Sequence, residues 1–301
     1  MVIGIFGATA SGKSELALAL ARRLPCEIVS VDAMQVYAGV ETLTNQPNAA
    51  ERAEVPHHLV GHLPLTATSS VGAHTPLAHA AIDAAAARGA LPLVVGGTGL
   101  YLRAALAELA LPPPVPAAER ACWERFYDQR GASAALAELE RRDARAAGRV
   151  HANDRRRVVR ALELAGQGAS LAPERDRLWG SGMRRPAIVA VVSWPRAVIR
   201  ARIAARTKAM LEGGAVDEVR AVRDAGVEPS PTAARILGLA ALGAHLDGRR
   251  TLEDVAAEVV LRTGQYARRQ ETWARRIPEA IELAGADGPE RNADRLLELI
   301  R

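Results

Sequence analysis

Gly7-Ala8-Thr9-Ala10-Ser11-Gly12-Lys13-Ser14 has the spacing G-x-x-x-x-G-K-[ST], which suits the gripping of phosphate. Backbone N–H groups of such a loop wrap phosphate oxygens, and a helix starting behind it adds partial positive charge. Lys13 would reach terminal phosphate oxygens, and Ser14 would offer its hydroxyl to Mg²⁺. The pattern specifies a diphosphate grip and leaves open whether the ligand is a nucleotide. Two other groups could do chemistry. Asp32, in Ser30-Val31-Asp32-Ala33-Met34-Gln35, can take a proton, hold a metal or simply cap a turn. In Gly96-Gly97-Thr98-Gly99 the glycines would let the backbone approach a ligand, and Thr98 presents a hydroxyl.

All three groups follow predicted strands. Val2 to Phe6, Glu27 to Val31 and Leu91 to Val95 are short apolar runs, read as buried parallel strands. Helical patterns occupy Ser14 to Leu24 and Thr75 to Arg88. This alternation predicts an α/β fold of the P-loop NTPase-like kind, a parallel sheet with helices on both faces. Asp32 and Thr98 then stand with the loop at the carboxyl edge of the sheet, where ligands bind.

Pro112-Pro113-Pro114 marks a predicted boundary, because proline stiffens the chain and donates no ladder hydrogen bond. From Pro116 to about Arg177 only helical patterns appear, dense in Arg and Glu, and Gly180 to Arg185 closes the segment. Ile188 to Val192 returns as a core strand, and after Trp194 the pattern is helical to the end, with breaks near Gly213-Gly214 and Pro229 to Pro231. The expected organisation is an α/β core of residues 1–112 and 183–301 carrying an all-helical insertion, 113–182.

A net charge of +5 favours polyanion partners, since Lys and Arg at phosphates release counterions. The two cysteines, Cys26 and Cys122, suggest reduced thiols in a cytoplasmic protein and not a disulfide framework. The first apolar run leads straight into the phosphate loop, so it reads as a strand and not a signal peptide. No stretch approaches the length of a membrane span.

The blocks GATASGKS, SVDAMQVYAG, VPHHL, VVGGTGLYLRA, NDRRRVVRALEL and RTGQYARRQETW occur in this order from residue 4 to about residue 273. Together they resemble the bacterial tRNA dimethylallyltransferase family. The resemblance implies transfer of a dimethylallyl group from dimethylallyl diphosphate to N6 of the tRNA adenosine beside the anticodon. It implies that the diphosphate lies on Thr9 to Ser14, with Mg²⁺, and that Asp32 is the general base. Thr98 is implied to touch the diphosphate or its bridge oxygen. Asp32, Ala33, Met34 and Gln35 are implied to line the pocket for the base. Arg120, Arg156, Arg157, Val158, Val159 and Arg160 match positions where family members contact the anticodon stem-loop. A monomer is expected.

Residue patterns leave rivals open. A small-molecule P-loop kinase would share residues 7 to 14, an isopentenyltransferase acting on free AMP would share most of the site, and an RNA-binding relative could lack chemistry. Arg156 and Arg160 share a helical face, while Val158 and Leu162 could pack inward. Arg202, Arg206 and Lys208 form another basic stripe with equal claim to a structural role. Tyr266, Gln270 and Trp273 follow helical spacing, and the two aromatics read as core and not as base-stacking groups. Trp123, Trp179 and Trp194 also read as core, and His57-His58 reads as structural or pocket-shaping and not as a metal pair. Ala33, Gln46, Gly61 and Gly166-Gln167-Gly168 depart from the family pattern.

Overall fold

The computed structural model describes residues 1–109, 111, 115–172 and 182–300. The chain forms two compact units: Met1–Glu108 with Gly182–Arg301, and Leu109–Ser181. Pro112-Pro113-Pro114, Trp179 and Gly180 lie outside the described residues.

The first unit is built on a six-stranded sheet. Its strands are β1 (Val2–Gly7), β2 (Cys26–Ser30), β3 (His57–His58), β4 (Leu91–Gly96), β5 (Ala187–Ser193) and β6 (Ile281–Ala284). The order is β3-β2-β4-β1-β5-β6, and every pairing is parallel. β1 is therefore central. From it the chain passes leftward to β2 and later rightward to β5, so the order reverses beside β1. At that switch point the turns at the carboxyl ends splay apart and leave a crevice. The buried runs at Val2–Gly7 and Cys26–Ser30 have no polar alternation because helices cover both faces.

α1 (Lys13–Ala21) buries Leu16, Ala17 and Leu20 against Ile3, Ile5 and Leu93, and the short α2 (Ala49–Glu54) lies between β2 and β3 in the chain. α3 (Val71–Ala87) begins four residues before the predicted Thr75, because the Ser70 side chain caps it by accepting the Ala73 N–H. α4 (Gly99–Leu106) follows β4. Beyond β5 come α8 (Arg196–Met210), a π turn at Leu211–Ala215, α9 (Val216–Asp224), α10 (Leu239–Leu246) and α11 (Leu252–Ala274). α12 (Gly288–Glu298) closes the unit. Strand β6 corrects the expectation of helix throughout this stretch. Its four residues are too few to show a period in sequence, and its pairing with β5 supplies the order.

The edge strand β3 explains the paired histidines. His57 Nδ1 lies 2.8 Å from the Val55 carbonyl oxygen, and His58 Nε2 lies 2.6 Å from Glu27 Oε2. Buried Glu27 also accepts two hydrogen bonds from Arg88, so the pair is structural.

The second unit is helical. α5 (Ala117–Arg142), α6 (Ala144–Ala147) and α7 (Arg155–Gly166) enclose Ala135, Leu139, Ala146, Val158, Ala161 and Leu162. Asp154 caps α7 by accepting the Arg157 N–H, which aligns the inward stripe Val158, Ala161, Leu162.

Candidate active site

The loop after β1 is held in a conformation that glycine must supply. Gly12 has φ 96° and caps α1, and Ala10 is left-handed at φ 63°. Ala10 is pinned there, because Arg202 Nε donates to its carbonyl oxygen at 2.6 Å. The Trp194 indole N–H donates to the Ser11 carbonyl at 2.9 Å. Trp194 is thus half-buried against the loop and not a core residue as expected.

Lys13 Nζ donates to the Ala8 carbonyl at 2.7 Å and folds back over the loop. Burial pulls its pKa down to about 8, opposed by the charge of Asp32 and reinforced by that of Arg206. Arg206, from α8, donates to Thr9 Oγ1. Burial lowers its pKa as well, and Asp32 again acts in the opposite direction. Asp32 therefore lies within Coulombic reach of both cations at the loop. Its Oδ1 accepts the Met34 N–H at 2.9 Å, so the residue also makes the local turn. Ser14, at the start of α1, is exposed, and Ser11 Oγ is buried without a hydrogen-bond partner.

Thr98 caps α4 without a side-chain hydrogen bond to that helix. Its hydroxyl instead lies 3.1 Å from the Tyr266 hydroxyl of α11. Gln270, one turn further along, is buried between two turns of the sheet edge. Its Oε1 accepts the Thr9 N–H at 2.7 Å, and its Nε2 donates to the Gly97 carbonyl at 3.0 Å. Trp273 packs on Gly99. A Cβ on Gly97 would stand 1.9 Å from Gln270 Nε2, and one on Gly99 2.4 Å from the Trp273 ring. Gly97 and Gly99 make room for α11.

Around Asp32 the base-side turn is tightly bonded. The Ser30 hydroxyl donates to Gln35 Oε1 at 3.1 Å, and Gln35 Nε2 donates to the Asn45 carbonyl at 2.6 Å. Ala33 and Met34 are half-buried. Two departures from the family pattern meet here. Gly61 has φ 59°, and a Cβ on it would stand 2.9 Å from buried Gln46 Oε1.

In the helical unit Glu163 is buried at 1% exposure and accepts from Arg120 and Arg160, each at 2.8 Å. Arg156 and Arg157 are exposed. Val158 and Val159 are buried at 0% and 4%, so their side chains are core and cannot meet RNA, which corrects that expectation.

Sequence reasoning brought Lys13, Asp32 and Thr98 to one edge and left Arg206, Gln270 and Tyr266 out of the site. Their only signal was spacing: 202 and 206 four apart on α8, and 266, 270 and 273 on one face of α11. A phosphate-type loop after β1, two arginines bonded to it and a carboxylate within electrostatic reach of Arg206 mark a protein of the P-loop-like α/β class. Residues 35–277 match the family model described as IPP transferase, and residues 1–57 match isopentenyl transferase. The chain belongs to the IPP transferase family. It is 43% identical over 279 residues to the tRNA dimethylallyltransferase of Methylobacterium sp. (strain 4-46), covering 90% of this chain and 89% of that protein. The Kineococcus radiotolerans tRNA dimethylallyltransferase is 41% identical, with 99% and 96% covered. Among solved structures, the tRNA isopentenylpyrophosphate transferase of Bacillus halodurans superposes with a TM-score of 0.68 at 30% identity, covering 99% of both chains.

Among the described residues, no helix is long and apolar enough to cross a membrane. Among the described residues, no group of three or more His, Cys, Asp or Glu is placed to hold a metal. The Ser14 hydroxyl, exposed at the start of α1, suits a hard cation that takes its other ligands from phosphate and water, so it fits Mg²⁺.

Proposed function

We propose that this protein transfers a dimethylallyl group from dimethylallyl diphosphate to N6 of adenosine 37 in tRNA, beside the anticodon, releasing diphosphate. The observation that carries the reading is the phosphate loop, with Lys13 folded over it and Arg206 bonded to Thr9, in a chain that matches tRNA dimethylallyltransferases over nearly its whole length.

The N6 lone pair is delocalised into the purine and attacks poorly. An allylic carbon compensates, because positive charge developing there is shared along the double bond. The new N6–C bond forms as the C–O bond breaks, and the electron pair leaves on the diphosphate. Loop N–H groups, Lys13 and Arg206 face the charge that accumulates there, which is the largest source of acceleration. Mg²⁺, when held by Ser14 and the diphosphate, would add further charge neutralisation. Asp32 receives the N6 proton, a contribution of about 10²–10⁴-fold. Thr98 contacts the departing oxygen. Asp32 to Gln35 receive the base, which must first leave its stack. Arg120, Arg156, Arg157 and Arg160 supply contacts to the anticodon stem-loop. The protein acts as a cytoplasmic monomer, consistent with its free thiols at buried Cys26 and exposed Cys122.

The test is incubation with dimethylallyl diphosphate and unmodified tRNA, followed by mass analysis of nucleosides. Isopentenyladenosine is expected. Parallel reactions with AMP or ATP as acceptors separate the rivals, and prenylated AMP without modified tRNA would overturn the reading.

A further inference from the structure

Tyr266 sits four residues before Gln270 on α11 and shares its face. Its phenol oxygen lies 3.1 Å from Thr98 Oγ1, and the Arg269 guanidinium stands 5.8 Å from the ring centroid. Burial, and after it the charge of Asp32, raise the phenol's pKa, so the group keeps its proton. A phenol is a stronger donor than an alkanol, and a diphosphate oxygen can only accept. When such an anion accepts the single proton of Thr98, the donor between the two hydroxyls can only be Tyr266. On the transfer reaction proposed above, we infer that Tyr266 is a positioning residue that donates to Thr98 Oγ1 and turns the Thr98 proton toward the departing diphosphate oxygen.

The relay costs no proton transfer; both O–H bonds stay intact. It polarises Thr98, so the hydrogen bond to the leaving oxygen strengthens as charge builds there. The benefit falls on the transition state, hence on kcat and not on KM. Thr98 makes no cap hydrogen bond with its side chain, so its hydroxyl is free for this use.

A double-mutant cycle of Tyr266→Phe and Thr98→Val tests the inference in single-turnover prenylation with saturating donor and tRNA. Tyr266→Phe should slow the wild-type background by about fivefold, the worth of one hydrogen bond between neutral hydroxyls, and the Thr98→Val background by less than about twofold. Inorganic pyrophosphate should bind Tyr266→Phe as it binds the unmutated protein, which shows an intact loop. Equal slowing in both backgrounds, or a loss confined to KM, would overturn the relay while leaving the prenyl-transfer reading in place. Absence of transfer by the unmutated protein would overturn that reading and the relay together.

Discussion

The side-chain oxygen of Gln270 accepts the Thr9 N–H at 2.7 Å, although 261 positions separate the two residues. Its amide nitrogen binds the Gly97 carbonyl, so one buried side chain ties the phosphate loop to the turn that carries Thr98. Removing it leaves a donor and an acceptor unmatched. Gln270→Ala should therefore cost about 2–4 kcal/mol of stability and weaken donor binding. Gly97→Ala should be worse alone, because its new Cβ would overlap Gln270 Nε2. Adding Gln270→Ala to Gly97→Ala should then recover stability. Urea unfolding of the four proteins checks this, and simple additivity would show that the two positions do not collide.

Asp32→Asn keeps the size of the side chain and an oxygen for the Met34 N–H, but it cannot take a proton. Single-turnover prenylation should slow by about 10²–10⁴-fold. Diphosphate affinity should stay level or rise, because a negative charge near Lys13 and Arg206 is gone. Turnover close to that of the unmutated protein would remove Asp32 from the base role.

Lys13, Asp32 and Thr98 were legible in sequence because each follows its own strand within a few residues, and a parallel sheet gathers such turns at one edge. Arg206, Gln270 and Tyr266 were not. They reach the same edge from helices formed after an insertion, and their contacts span 168 to 261 positions. Nothing local distinguishes a buried glutamine that bonds two backbones from an ordinary helix residue. The glycines of Gly96 to Gly99 were only half legible for the same reason. Close approach was right, but sequence could not show that the approaching groups are Val31 at Gly96 and α11 at Gly97 and Gly99. Val158 and Val159 show the limit of carrying roles by position, because a basic segment on a helix necessarily includes inward residues.

Arg156 and Arg160 share a face yet should respond differently to truncation. Arg156 is exposed, so Arg156→Ala should leave stability unchanged, weaken tRNA binding and lower its salt slope by about one. Arg160 pairs with buried Glu163, so Arg160→Ala should also destabilise the helical unit by about 1–3 kcal/mol. Fluorescence titration of tRNA at several salt concentrations, with thermal melts of each variant, checks both. Equal melts for the two would show that Arg120 alone satisfies Glu163.

Lys13 carries a stability penalty that its ligand removes. Its pKa is held at about 8 against an ordinary 10.5, chiefly by burial. The folded protein therefore binds Lys13's proton more weakly than the unfolded chain. The penalty is fully present below pH 8 and fades as pH rises from about 8 toward 10.5. Lys13→Met should accordingly stabilise the empty protein at neutral pH by about 1–2 kcal/mol, less than the full shift because the side chain is only half-buried. That gain should shrink above pH 8. Pyrophosphate binding should behave in the opposite way. The unmutated protein should bind best below about pH 8 and more weakly above it, because the anion must then draw a proton back onto the amine. Lys13→Met should bind weakly with no such step. Calorimetry of pyrophosphate binding across this range reads the step directly. A wild-type profile that matches Lys13→Met would mean that the amine is not the group facing the anion, and Arg206 would remain as the principal charge over the loop.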